Sequence, residues 1–377
     1  MTDHISFLCY SDIHHHEYQN GLTGEDVEAV EEEFNQLLKT LDVDFWIFAG
    51  DRFLSRNPLD VSRLRAERAL KKHHDTGKPG IMLLGNHDQW TKNPYGGHTM
   101  RHINLFRTDL KNIHVIDTAR THLLNVRGLS VAVHGIPAGH AIPQFTFNPQ
   151  VDFNICIFHG LMIGSLFQSG MSVTEGIQSK VLDLKEFDIV LGGDNHKHQA
   201  LPLKNTRGFY IGAPMQHNWG DAGSSRGFLH VKLYRDSDAN HSMTNRWVEC
   251  HHLPSHAPQF IKYEIRVDKI EELVRLIEEA NNTWKNNIIT INVSGPHSVL
   301  KDIIPSEWAQ KIKDKVGTRS INLKLHYDLD RTTTHPVRQK TDAEEWKEFL
   351  ITMASSQIKE LNLNKLEQMG LDFINNA

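Results

Sequence analysis

Residues 81–88 read Ile81-Met82-Leu83-Leu84-Gly85-Asn86-His87-Asp88: four apolar residues, a glycine, then an amide, an imidazole and a carboxylate. A short apolar run bounded by turn residues marks a buried strand, and here the helix stop Gly77-Lys78-Pro79-Gly80 precedes it. The polar block therefore stands where a buried strand emerges into a loop. Four more blocks end apolar runs in the same way. They are Asp12-Ile13-His14 after residues 5–10, Gly50-Asp51 after 45–49, His159-Gly160 after 153–158, and Gly193-Asp194-Asn195-His196 after 189–191. Each supplies oxygen or imidazole ligands at one end of a strand.

Helical periodicity fills the gaps between the early strands. Thr23 is an N-cap, Glu25 and Asp26 occupy the first turn, and Val27, Val30, Phe34, Leu37, Leu38 and Leu41 share a face. A second helix covers roughly residues 59–74. Strand alternating with helix predicts βαβ units. From about Ile113 the pattern changes to strands joined by tight turns, as in 123–126 and 129–133 around Arg127-Gly128. The runs at 208–211, 228–234 and 247–251 are expected to form a meander that completes a second sheet. The expected fold class is α/β, a two-sheet sandwich flanked by helices over residues 1–253.

A boundary follows at Leu253-Pro254-Ser255-His256-Ala257-Pro258. Residues 259–328 predict a small α/β cap, with strands at 259–267, 288–293 and 321–327. One cap helix opens at Asp268 with Glu271 as a capping-box-like pair; another spans about 299–316, with Pro305 breaking or restarting it. Residues 329–340 read as a linker. Residues 341–377 form an amphipathic helical segment with Trp346, Phe349, Leu350 and Met353 on one face. That segment either packs on its own domain or docks a partner.

With 377 residues and 39% hydrophobic content the chain can bury at least one large core, and 23% charged residues with 13 prolines argue against disorder. No run approaches the ~18 apolar residues of a membrane span, and no signal-peptide pattern precedes the first strand, so a cytoplasmic chain without membrane association is expected. Three cysteines imply no disulfide framework. A net charge of −5 weighs against holding nucleic acid by a broad basic surface, so any DNA contact must be local or shared with a partner.

Phosphate esters resist attack because their anionic oxygens repel nucleophiles. Two divalent ions about 3.5–4 Å apart neutralise that charge and generate hydroxide near pH 7. Such a pair needs a bridging carboxylate, imidazole or carboxylate ligands on both sides, and a proton donor beyond the metals. Asp51 suits the bridge; Asp12 and His14, two apart on the extended end of the first strand, can point to the same side and clasp the first ion; and Asn86 and His159 can serve the second. His87, next to Asn86 and pointing away from it, suits a general acid, with Asp88 holding its tautomer.

The five blocks resemble the calcineurin-like metallophosphoesterase pattern of Asp-x-His, Gly-Asp, Gly-Asn-His-Asp or Glu, His, and Gly-His-x-His. Within that family the chain is similar to the nuclease subunit of SbcCD-type and meiotic-recombination nuclease complexes, in which a cap and a C-terminal helical segment follow the core. The resemblance implies that Asp12, His14, Asp51 and His196 hold one Mn²⁺, and that Asp51, Asn86, His159 and Asp194 hold the other, Mg²⁺ being an alternative. It implies phosphodiester hydrolysis of DNA by exonuclease or endonuclease action, with His87 as acid or phosphate-orienting group. A homodimer and an SbcC-like coiled-coil ATPase bound through the C-terminal helices are the implied partners. A phosphomonoesterase or cyclic-nucleotide phosphodiesterase is the alternative function.

Departures from the pattern matter. Asp194 stands where the family usually has histidine, and a carboxylate is a competent hard ligand for Mn²⁺ or Mg²⁺. A second register would use His196 and His198 as the pair. Leu54 stands where the nuclease relatives often have His or Asp. His16, His198 and His217 are candidate phosphate or DNA contacts.

Overall fold

The computed structural model describes residues 2–90, 97, 110–236, 246–279 and 284–328. The linker at 329–340 and the helical segment at 341–377 expected from the sequence lie outside the described residues.

Two six-stranded mixed sheets form the body of the fold. In the first, Thr2–Tyr10, Phe45–Phe48, Gly80–Leu83 and Ile113–Ile116 run parallel, and Gly227–Asp236 and Arg246–Pro254 add an antiparallel edge beside Thr2–Tyr10. In the second, Leu129–Ile136, Phe153–His159, Ile189–Gly193 and Gly208–Tyr210 are parallel, with Arg120–Val126 and Gln199–Ala200 antiparallel at its edges. The central strands are apolar on both faces because both faces are covered. Ile5, Phe7, Ile47 and Leu83 of the first sheet meet Val133, Ile155, Ile157 and Leu191 of the second. On the other face of the first sheet, Leu8, Trp46 and Phe48 pack on Val30, Phe34 and Leu38 of helix α1 (Gly24–Thr40) and on Ala66 and Leu70 of α2 (Asp60–His74).

Two sequence expectations are corrected here. Only the run at 208–211 joins the second sheet; those at 228–234 and 247–251 extend the first. Register explains it: Ile5 pairs with Leu233, Phe7 with Val231 and Cys9 with Leu229, so the added strand continues the same inward alternation. Helices also flank the sandwich on one side only among the described residues. The outer face of the second sheet is covered by irregular chain, with Phe145, Phe147, Met162, Leu182 and Phe187 on Cys156, Phe158 and Val190.

Residues 260–327 build a three-stranded parallel sheet from Phe260–Arg266, Ile288–Gly295 and Ser320–Tyr327. Its helices are α3 (Ile270–Glu279), α4 (His297–Leu300) and α5 (Pro305–Val316), around a core that includes Leu273, Trp284, Ile291 and Ile312. Pro305 opens α5, where its missing N–H costs nothing. Glu272, rather than Glu271, reaches back to the Asp268 N–H at 2.8 Å. This layer meets the larger one where the Phe260 N–H donates to Gln216 Oε1 (2.6 Å), Phe260 packs edge-on to Trp219, and Arg319 pairs with Asp26. No helix among the described residues is long and apolar enough to cross a membrane.

Candidate metal centre

Parallel strands present their C-terminal ends on one edge, and in both sheets that edge carries the polar blocks. Asp12 and His14 follow Thr2–Tyr10, Asp51 follows Phe45–Phe48, Asn86 follows Gly80–Leu83, His159 ends its strand and Asp194 follows Ile189–Gly193. Asp12 and His14 are not on an extended strand end, as the sequence spacing implied. Their φ angles are 53° and 49°, Asp51 stands at 60° and Asp194 at 84°, so four candidate ligands sit in the left-handed region. Gly50, at φ 102°, makes the turn before Asp51, and a Cβ there would strike the His159 imidazole.

Two groups of side chains converge, Asp12 with His14 and His196, and Asp12 with Asp51 and His159; within each, the ligand atoms lie within 4.8 Å of one another. Asp12 is common to both. Asp51 also spans them, with Oδ2 3.8 Å from His14 Nε2 and Oδ1 3.4 Å from His159 Nε2. Asn86 Oδ1 is 3.1 Å from His159 Nε2, and Asp194 Oδ1 is 3.8 Å from it.

The donor chemistry fits cations. Carbonyl oxygens only accept, so His14 donates from Nδ1 to Phe53 (3.3 Å) and His159 from Nδ1 to Ala49 (2.7 Å). His196 Nδ1 faces the Asp221 carboxylate at 3.4 Å. Each Nε2 is thereby turned inward with its lone pair. The Nε2 atoms of His14 and His196 stand 3.2 Å apart, and His159 Nε2 faces only oxygens. Such an array repels itself unless protons or metal ions lie within it.

The calcineurin-like phosphoesterase model matches residues 5–198. The chain belongs to the calcineurin-like phosphoesterase family. That span holds all five polar blocks. Among solved structures the chain is similar to GAP50, the anchor in the inner membrane complex of Plasmodium. Identity is 14%, over 67% of this chain and 89% of that one, with a TM-score of 0.37, a likeness too distant to bear on function.

The field inside this phosphoesterase site follows from burying several carboxylates together. Burial pushes Asp12 up to about 6, with His159 and His196 pulling the other way. Burial also raises Asp194. It works against ionisation of Asp51 too, but the charge and hydrogen bond of His159, with His14 and His87, hold that carboxyl well below its usual range. Burial lowers His14 to about 3. It acts the same way on His159 and His196, where it is outweighed by Asp51 for the first and Asp221 for the second, so both are raised.

His87 stands at the rim, its side chain 38% exposed, with Nε2 4.0 Å from Asp51 Oδ2. Its tautomer is set by the Leu54 carbonyl, which accepts from Nδ1 at 2.5 Å. Asp88 instead accepts the backbone N–H groups of Asp51, Arg52, Phe53 and Gly85 at 2.8–3.2 Å. The sequence assignment of Asp88 is corrected accordingly: adjacent residues diverge after the strand, and this carboxylate turns toward the Asp51 loop. Because the Leu54 contact is made by main chain, its departure from the family pattern leaves His87 oriented.

His16 is buried, with Nδ1 on the His14 carbonyl (2.7 Å); His217 is buried, with Nε2 on the Asp12 carbonyl (2.8 Å). Rings so enclosed support the ligand loops, and the second nitrogen of each, His16 Nε2 and His217 Nδ1, is buried as well. His198 Nδ1 faces the Tyr210 and Ile211 carbonyls and its ring stacks on His252, whereas His196 joins Asp12 and His14, and Asp194 Oδ1 stands 3.8 Å from His159 Nε2.

Sequence reasoning missed Asp221 and Arg226. Asp221 orients His196, accepts the His217 N–H (2.9 Å) and pairs with Arg226 at 2.9 Å; Arg226 also donates to the His196 carbonyl. Only their place in polar loop stretches marked them.

Proposed function

We propose that this phosphoesterase is a Mn²⁺-dependent DNA nuclease that hydrolyses phosphodiesters and works as the nuclease subunit of an SbcC-like coiled-coil ATPase. The observation that carries the reading is the α/β layer of residues 260–327, attached to the loop that supports the metal ligands. Phe260 is bonded to Gln216 and packs on Trp219, five and two residues before Asp221, which holds His196. Such a layer beside the first-ion ligands adds surface for a substrate or partner larger than a small phosphate ester.

Two divalent ions held by Asp12, His14, Asp51, His196, Asn86, His159 and Asp194 would supply Lewis acidity toward the phosphate and ionise water near neutral pH. The protein does the rest. Asp51 ties the two halves of the site, and the buried rings of His14 and His159 exclude bulk water from its floor. His87, with Nδ1–H fixed on the Leu54 carbonyl, leaves Nε2 at the rim; in its imidazolium form it would hand the Nε2 proton to the departing sugar oxygen and be left as the neutral Nδ1–H tautomer. An acidic chain that cleaves DNA needs a partner's basic surface, which favours a subunit over a free-standing enzyme.

The test compares linear duplex and hairpin DNA, bis-p-nitrophenyl phosphate and p-nitrophenyl phosphate as substrates, each with Mn²⁺ and with Mg²⁺. DNA cleavage that disappears in Asp51→Ala and falls steeply in His87→Ala is expected. Wild-type DNA cleavage by either variant sinks the proposal, and monoester hydrolysis without DNA cleavage favours the phosphomonoesterase alternative. Removing residues 341–377 should abolish binding to an SbcC-like ATPase and leave hydrolysis of bis-p-nitrophenyl phosphate intact.

A further inference from the structure

Beneath the metal ligands lies a second polar cluster that no step of the hydrolysis uses. Glu31, on α1, is 2% exposed and bonds to four side chains. Its Oε1 takes the Arg52 guanidinium at 2.9 Å and His15 Nε2 at 3.0 Å, and its Oε2 takes His73 Nε2 at 2.8 Å and the Tyr10 hydroxyl at 3.2 Å. Arg52 is fully buried and donates further to the Tyr10 hydroxyl (2.7 Å) and the Ala66 carbonyl (3.2 Å). A buried ion pair is a poor source of net stability. Its placement suggests another role.

His15 and Arg52 are the immediate neighbours of the ligands His14 and Asp51. Their loops run side by side past the strand ends. His14 N–H donates to the Asp51 carbonyl (3.2 Å), His15 N–H to Arg52 (2.8 Å) and Leu54 N–H to His15 (3.2 Å). Asp12, His14 and Asp51 all hold left-handed backbone within this ribbon. Such conformations are unfavourable for residues other than glycine and persist only where the surroundings over-determine them. One oxygen of Glu31 grips both loops at once, each one residue from a ligand.

We propose that Glu31 is a positioning residue that holds the two ligand loops in register through His15 and Arg52, and so sets the affinity of the metal site. Helix α1 thereby acts as the rigid reference to which Asp51 and His14 are tied. His73 bonds the other Glu31 oxygen from α2 and approaches the Tyr10 hydroxyl at 3.5 Å, bonding neither His15 nor Arg52 among the described contacts, and so provides the control.

The experiment titrates the metal-free full chain with Mn²⁺ by calorimetry, and follows urea unfolding in parallel, for Glu31→Gln, His15→Leu and His73→Leu. Loss of a supporting contact behind a metal ligand typically costs about 10–100-fold in affinity. Glu31→Gln and His15→Leu are expected to weaken Mn²⁺ binding by about that factor, whereas His73→Leu lowers the unfolding midpoint and leaves the Mn²⁺ affinity at the wild-type value. Wild-type affinity in both Glu31→Gln and His15→Leu overturns the proposal. So does an equal loss in His73→Leu, which would reduce Glu31 to a purely structural part. If Glu31→Gln does not fold, His15→Leu against His73→Leu decides alone.

Discussion

Replacing Asp88 by alanine separates two roles for the last residue of the Gly85-Asn86-His87-Asp88 block. If Asp88 held the His87 tautomer, Asp88→Ala would impair catalysis and leave the fold alone. The structure makes the opposite prediction, since the carboxylate accepts four backbone N–H groups, three of them from the consecutive residues Asp51, Arg52 and Phe53. Asp88 is fully buried, so water reaches those donors poorly once the carboxylate is gone. Each unsatisfied buried donor costs roughly 1–3 kcal/mol. Part of that is offset, because burial and the charge of Asp51 already strain the Asp88 carboxylate, raising its pKa to about 7, against the pull of the Gly85 and Phe53 N–H groups. The net expectation is a loss of about 3–5 kcal/mol, at the upper end for single substitutions. Urea unfolding of the metal-free protein measures it, with Mn²⁺ titration alongside to show that the Asp51 loop has loosened. A loss below about 1 kcal/mol with wild-type metal binding would refute the reasoning.

Asp194→His should retain two metal ions per chain and Asp194→Ala should lose one, as read by elemental analysis of the purified proteins; two ions in Asp194→Ala would remove this residue from the ligand set. Metal affinity should rise with pH. Asp12 is raised to about 6, and His159 and His196 are raised above their ordinary values, so each holds a proton at low pH that a metal must displace. Calorimetry in buffers of different ionisation enthalpy should show at least one proton released per chain at pH 7, and affinity climbing by at least about tenfold per pH unit below pH 6, the slope of a single displaced proton; a flat profile contradicts this. Gly50→Ala should weaken metal binding more than it lowers stability in water, because the new Cβ meets the His159 ring and a non-glycine residue at this φ costs on the order of 1–2 kcal/mol. Unchanged Mn²⁺ affinity in Gly50→Ala would show that the His159 loop yields without consequence.

The strands and their terminal blocks were legible because both are local. Apolar runs of three to six residues ending in Gly, Asp, Asn or His mark the edge of the sandwich without any knowledge of pairing, and Thr23 with Asp26 does cap α1. Which sheet a strand joins is not local. The runs at 228–234 and 247–251 have the same alternation in either sheet, and only the partnership of Val231 with Phe7 decides. The roles of Asp88, Asp221 and Glu31 were hidden for a related reason: a carboxylate that orients another residue is recognised by its partner, and these partners lie 36, 25 and 16 residues away in sequence for the bonds Asp88 to Arg52, Asp221 to His196 and Glu31 to His15.

The left-handed ligands show why the rest of the site resisted reading. Spacing alone made Asp12 and His14 look like alternate residues of an extended strand, able to reach one ion from one face. The observed φ values place them in a tight turn that a chain of L-residues enters unwillingly. What compels it is carried elsewhere: the Gly50 carbonyl accepting the Asp12 N–H at 2.8 Å, the Asp51 carbonyl accepting that of His14, and Asp88 clamping the N–H groups beyond Asp51. The ligand geometry is therefore a property of three loops jointly. A turn stabilised only by its neighbours responds to changes in them, so substitutions at residues that touch no ion should alter metal binding as strongly as substitutions at a peripheral ligand.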